Sequence, residues 1–177
     1  NKKIGFDSQY NAAPTKLLPI ISVKSSNEIS YTYWGSSPDY AKNKSLANRL
    51  ININISSFSK SNMLYNLLIT ERCLIPCDGF YFWKKVAKKD KVPYYFKYEM
   101  SEIMFCAGVK EKYEDFDGNV FNYFSFITKK SSNEWKEYTE NAPLMIDKEN
   151  VRSWLDIKKR FDEIIELMYS PSISDFS

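Results

Sequence analysis

Apolar and polar positions alternate with a period of two over much of the chain. Leu18 to Val23 and Ile29 to Trp34 read as two strands around a Ser25-Ser26-Asn27 turn cluster. Gly35-Ser-Ser-Pro38-Asp39 breaks that pattern, and a polar stretch to Asn48 reads as loop or short helix. In Leu50 to Ile55 the alternation returns, with Ile51, Ile53 and Ile55 on one face and Asn52 and Asn54 on the other. Met63, Leu64, Leu67 and Leu68 follow helical spacing within Lys60 to Thr70.

Cys73 to Trp83 is strand-like around Pro76 and Gly79, and a lysine-rich turn, Lys84 to Lys91, leads into a strand over Pro93 to Tyr98. Ile103 to Val109 and Val120 to Thr128 are two further strands, with Asp117-Gly118 as a tight-turn signal between them. This gives a meander of about seven strands. Helical patterns follow at Ser132 to Thr139, at Asp147 to Leu155 with Asp147 at the N-cap, and at Lys158 to Met168. Phe161, Ile164, Ile165 and Met168 there form one apolar stripe fit to pack on a sheet. The fold class is α+β: a mainly antiparallel, barrel-like sheet with peripheral helices.

The chain has 177 residues, room for one ordinary domain, and no repeat or linker divides it. Its 44% hydrophobic and 27% charged residues exclude a disordered or collagenous chain. With no histidine, every histidine-based triad, metal site and neutral-pH general base is excluded. Residues 1–100 carry 15 Lys/Arg against 7 Asp/Glu, and residues 101–177 carry 10 against 15. That asymmetry permits a polyanionic partner without demanding one. Cys73, Cys77 and Cys106 form no Cys-x-x-Cys pair, so free, buried, structural thiols in a reducing compartment are expected. No apolar run approaches the about 20 residues of a membrane span, and the reading is a soluble, cytoplasmic chain.

A set of short blocks in fixed order adds to this. They are Tyr10-Asn-Ala-Ala-Pro14-Thr15, Tyr33-Trp34-Gly35-x-x-Pro38-x-x-Ala41-Lys42, Leu50-Ile51-Asn52 and Arg72-Cys-Leu-Ile-Pro76-x-Asp78-Gly79-Phe80-Tyr81-x-Trp83-Lys84. Val92-Pro93-Tyr94, Ala107-Gly108, Phe124-x-x-Ile127-Thr128, Ala142-Pro143-Leu144 and Trp154-Leu155 follow. Over about residues 10–156 the chain resembles the SRAP family, the SOS-response-associated peptidases or abasic-site processing proteins.

The resemblance implies a barrel-like α+β fold and a basic groove for single-stranded DNA. In that family an N-terminal cysteine closes a thiazolidine on the aldehyde of an abasic site, helped by an asparagine, a glutamate and a histidine. Carried over by position, Asn52 is the retained asparagine, Phe82 stands where the glutamate would be, and Thr139 where the histidine would be. Asn54 and Asn141 replace two arginines of the family pattern. Neither Phe82 nor Thr139 can move a proton at neutral pH as the family groups would. The sequence opens Asn1-Lys2-Lys3-Ile4-Gly5 in place of Met-Cys-Gly-Arg, so the nucleophile lies upstream or is lost.

Pro14, Trp34 and Tyr40 match parts that wedge into and stack on bases, and Arg49 and Arg72 are candidate phosphate contacts. Against these stand plain structural readings: an exposed amide on an alternating strand for Asn52, core packing for Trp34 and Phe82, and a solvated tip for the lysine-rich loop. The implied function is binding of single-stranded DNA and its abasic sites by a monomer with no metal or cofactor and with impaired or lost crosslinking and peptidase activity. Two alternatives are a slow crosslinker using an upstream cysteine and an interaction module without nucleic acid on the same fold.

Overall fold

A computed structural model describes residues 8–35, 51–87, 90–97, 103–114, 118, 120–132 and 135–169. The strands are β1 (Leu17–Ser22), β2 (Ser25–Trp34), β3 (Asn52–Asn54), β4 (Arg72–Cys77), β5 (Gly79–Lys85), β6 (Lys91–Lys97), β7 (Met104–Glu114), β8 (Val120–Lys130) and β9 (Asn141–Pro143). The helices are α1 (Asn62–Thr70), α2 (Val151–Trp154) and α3 (Phe161–Tyr169), with 3-10 turns at Ile55–Ser57 and Lys148–Asn150.

Strands β2, β1, β4, β7 and β8 are bonded in that order, and β2 then pairs with β8, which closes a five-stranded barrel. Closure uses a short parallel contact, Tyr33 to Tyr123 and Trp34 to Phe124. Short strands β3 and β9 flank the end of β8 beyond that contact, β3 parallel and β9 antiparallel to it. The sheet is therefore antiparallel apart from two short parallel pairings, and the α+β barrel expected from the sequence is present.

Leu18, Ile20, Cys73, Ile75, Cys106 and Phe124 fill the barrel. The alternate residues of β4, β7 and β8, among them Leu74, Ala107, Val109 and Ile127, form a second core under the helices. Ser61 caps α1 by accepting from Leu64 N, and Leu68 of that helix is fully buried. From α3, Ile164 and Met168 are fully buried, and Phe161 and Ile165 pack at the edge of the same core. The 3.6-residue stripe of the sequence thus faces the sheet.

Several sequence expectations need correction. The first hairpin turns at Val23-Lys24, where Lys24 N donates to Ser22 Oγ, and Ser25 to Asn27 lie inside β2. The expected single strand over Cys73 to Trp83 is two strands in different sheets, broken at Asp78. Residues 135–138 form turns rather than the expected helix, and β9 is an element that the pattern does not announce. Asp147 holds the N-cap position of the turn at Lys148–Asn150 without a side-chain capping bond. Gly118 takes φ +80 in the β7–β8 connection, a conformation suited to glycine.

Among the described residues no helix is long and apolar enough to cross a membrane, and no group of three potential ligands could hold a metal ion.

Candidate nucleic-acid interface

Alternation on β3 decides where the Asn52 amide points. Ile53 enters the helix-covered core, so Asn52 and Asn54 face the other way, on the side of Phe126 and Thr128, their partners on β8. Asn52 is exposed. Asn54 Nδ2 donates to Asn141 Oδ1 at 2.9 Å, and Asn54 Oδ1 accepts from Ser56 N at 3.0 Å, which ends β3 in the 3-10 turn. Next to Asn141, the Thr139 hydroxyl donates to the Asn141 carbonyl at 2.8 Å. The structure thus brings four predicted positions, Asn52, Asn54, Thr139 and Asn141, to one corner of the sheet.

Trp34 extends this corner. Its indole Nε1 donates to the Ile51 carbonyl at 3.0 Å, and its ring meets Phe126 edge-on at 5.0 Å between centroids. Trp34 is half-buried and has a structural task, holding the entry to β3 against the barrel rim. The turn carrying Pro14 is tied to the same residue: Thr15 N donates to Trp34 O at 2.8 Å and Trp34 N donates to Lys16 O at 2.9 Å. Pro14 is exposed on that turn, and Thr15 has φ 76. Among the described residues Thr15 is the one non-glycine with positive φ, a costly conformation for a β-branched side chain. Such strain persists where surrounding structure fixes it, and it marks segments held in place for a task. From Pro14 through Trp34 and Asn52 to Asn141, a polar and aromatic strip runs along the barrel mouth.

Two predicted positions do not join the strip. Phe82 lies on the β5–β6 ribbon with Phe80, Phe96 and Trp135 at 5.2, 5.4 and 5.9 Å, half-buried in an aromatic nest. Its link to Thr139 is through Trp135, whose carbonyl accepts from Thr139 N at 3.0 Å. Arg72 needs an outright correction: it is fully buried and cannot meet a phosphate. Its guanidinium donates to the carbonyls of Leu68, Ile69, Trp154 and Asp156 at 2.7 to 2.9 Å. Tyr40 and Arg49 lie outside the described residues.

The cysteines belong to the barrel core that packs beneath Trp34 and Phe126. Cys73 and Cys106 are buried, burial pushes the Cys73 thiol far above its ordinary range, and Cys106 Sγ lies 3.6 Å from the half-buried Cys77 Sγ. A protonated interior thiol is a poor nucleophile.

An open cleft borders β3, lined by Asn52 and Asn54 as well as by Ile53, Ser57, Leu64 and Glu111. Burial holds the Glu111 carboxyl above its ordinary range, although the Tyr123 hydroxyl donates to it at 2.9 Å and pulls the other way. The folded chain therefore holds this proton more tightly than the unfolded one, so ionisation lowers stability as pH rises above about 4. Glu111→Gln, which can still accept from Tyr123, is expected to raise the urea midpoint at pH 8 and to leave it unchanged at pH 4. An equal gain at both pH values would place the effect in packing rather than in ionisation.

With this geometry in hand, similarity to known proteins decides the family. The family described as SOS response associated peptidase (SRAP) matches residues 1–176. The chain belongs to the SRAP family. The abasic site processing protein YoqW of Bacillus subtilis is 29% identical over 171 residues, 96% of this chain and 76% of the relative. YobE of the same organism, also named an abasic site processing protein, is 29% identical over 171 residues, 96% of this chain and 78% of the relative. A solved structure from Bacteroides thetaiotaomicron superposes with a TM-score of 0.77 at 22% identity, covering 92% of this chain and 72% of that one. The five-stranded barrel is the scaffold on which this SRAP chain carries the residues described above.

Proposed function

We propose that this SRAP protein binds abasic single-stranded DNA along the strip at the barrel mouth, as a monomer in the cytoplasm, with its 177 residues acting as one domain. The observation that carries this reading is the convergence of Pro14, Trp34, Asn52, Asn54 and Asn141 on one edge. Exposed amides can hydrogen-bond base edges and sugar oxygens, and Pro14 projects from a strained turn beside them. Backbone charge is met weakly at the strip itself, since asparagines stand at the two arginine positions. Binding there is accordingly modest and sensitive to the lesion.

Crosslinking and peptidase activity are impaired or lost in this reading. Phe82 offers no proton, Thr139 uses its hydroxyl on a backbone carbonyl, and the thiols at Cys73 and Cys106 are interior. Loss of general acid–base help costs on the order of 10²- to 10⁴-fold in rate.

The test is a labelled single-stranded oligonucleotide with one abasic site, incubated with the natively ended protein and run on native and denaturing gels. The expected result is a native shift stronger than that of the intact oligonucleotide, with no retained band after denaturation. A band surviving denaturation at rates ordinary for an abasic-site crosslinker would overturn the loss of capture. Equal binding of intact and abasic strands would overturn the abasic reading.

A further inference from the structure

The two faces of the β5–β6 ribbon have different fates. Phe80, Phe82, Tyr94 and Phe96 turn inward onto Trp135 and Tyr138. Tyr81, Trp83 and Tyr95 point to solvent at 45%, 60% and 45% exposure, although buried burial-prone rings are the norm in a chain with a core of this size. The register sets Tyr81 opposite Tyr95 and Trp83 opposite Pro93, so the three rings share one patch. Lys85 and Lys91 are paired at one end of that face and Lys97 lies opposite Gly79 at the other, all three exposed. Among the described residues, Asp78 and Asp90 sit just beyond the two ends of the strands.

The patch is built rather than incidental. The Tyr95 ring lies flat across Gly79, so close that a Cβ there would fall 2.4 Å from the Tyr95 hydroxyl oxygen. Tyr95 also meets the Tyr81 ring at 4.7 Å between centroids, the two rings tilted at 37°. From the inner face, Lys84 anchors the ribbon to the 135–138 turns by its ion pair with Glu137 at 3.1 Å and by lying over the Tyr138 ring at 4.8 Å.

We infer that the outer face of the β5–β6 ribbon is a second binding surface, for single-stranded DNA, on which Tyr81, Trp83 and Tyr95 stack bases while Lys85, Lys91 and Lys97 track the backbone. Aromatic rings on adjacent strands, rimmed by cations, are suited to two or three unstacked bases and select no sequence, since every base has a π-face. A duplex offers no free base faces to these rings. The lysines supply the charge complementarity that the asparagine-bearing strip lacks. The surface extends the DNA reading above to a second face, and it is separable from it because it needs no lesion.

The test uses the full chain with an undamaged 20-nucleotide oligo(dT) and with the same oligonucleotide carrying one abasic site. Trp83 is the exposed tryptophan among four, Trp135 and Trp154 being buried and Trp34 half-buried, so it reports stacking directly. Oligo(dT) is expected to quench tryptophan fluorescence saturably. Trp83→Leu is expected to abolish the quench and weaken binding by about 5- to 150-fold, the range of one stacked base, while Trp83→Phe keeps most of the affinity. Replacing Lys85, Lys91 and Lys97 together by glutamine is expected to reduce the slope of log K against log salt by about 2. Unchanged urea midpoints show that these variants fold.

Oligo(dT) binding with native affinity and salt slope in both the leucine and the glutamine variants would overturn this surface, whatever the lesion preference. If instead these variants lose oligo(dT) and the wild type shows no preference for the abasic strand, the ribbon stands and the strip reading falls. Failure of the wild type to bind either strand overturns both.

Discussion

Alanine in place of Arg72 is expected to destabilise the fold by about 4 kcal/mol, the range for stripping one partner from a buried charged network. Arg72 is fully buried at the start of β4, and its guanidinium joins elements from distant parts of the chain. Two of its acceptors, Leu68 and Ile69, are carbonyls at the C-terminal end of α1. The other two, Trp154 and Asp156, lie at and just beyond the end of α2. Both helix ends carry partial negative charge, so one cation answers carbonyls at both. The guanidinium also lies over the Trp154 ring at 5.9 Å, and Trp154 Nε1 donates in turn to the Cys73 carbonyl at 3.1 Å.

Burial lowers the Arg72 pKa to about 10, still far above neutrality, so the group stays charged and adds no slope to stability near pH 7. Arg72→Lys should recover little, about 1 kcal/mol, because an ammonium cannot reproduce the planar fork that reaches four carbonyls. Urea unfolding of the two variants measures both values. The salt dependence of oligonucleotide binding by Arg72→Ala, which removes the charge, should match the wild type, whereas loss of a phosphate contact would reduce that slope by about 0.7. Small stability loss combined with a reduced slope would return Arg72 to the DNA surface.

Arg72 also shows where sequence reasoning ends. An arginine between Glu71 and Cys73 reads as an exposed cation at a strand start, because nothing local announces that helix ends 82 and 84 residues further on converge upon it. The Asn54–Asn141 bond spans 87 residues and is invisible for the same reason. Local periodicity, by contrast, is carried by neighbours in the chain. The Ile164 and Met168 stripe and the opposed faces of Asn52 and Ile53 were legible, since burial of one face follows from spacing alone. At Phe80-Tyr81-Phe82-Trp83 that signal fails: four successive aromatics give no alternation, and only the packing of Trp135 selects the inner pair. The order of the motif blocks located the asparagine corner, while the depth of Phe82 in its nest depended on a segment more than 50 residues away.

That nest makes a sharp prediction for Phe82→Glu, the acid that the family resemblance implies at this position. The new carboxyl would enter a space bounded by Phe80, Phe96 and Trp135, with ring centroids within 5.2 to 5.9 Å of the present one. The nearest cation on the same face of β5 is Lys84, already engaged by Glu137 and by the Tyr94 and Tyr138 rings. An apolar site disfavours the ionised form, so the folded pKa of the introduced acid lies above its unfolded value of about 4.3. The folded state then holds more protons than the unfolded one between those two values, and stability falls as pH rises through that window. The expected cost is about 3 kcal/mol at pH 8 and clearly less at pH 4.5, where the acid enters neutral. Phe82→Leu, which keeps an apolar group, should show a smaller loss that does not change with pH. Urea midpoints at the two pH values decide the matter. Equal midpoints for Phe82→Glu at both would mean that the carboxyl reaches solvent. A pH-dependent loss means that the aromatic nest has closed over it, so that restoring the residue does not restore the acid.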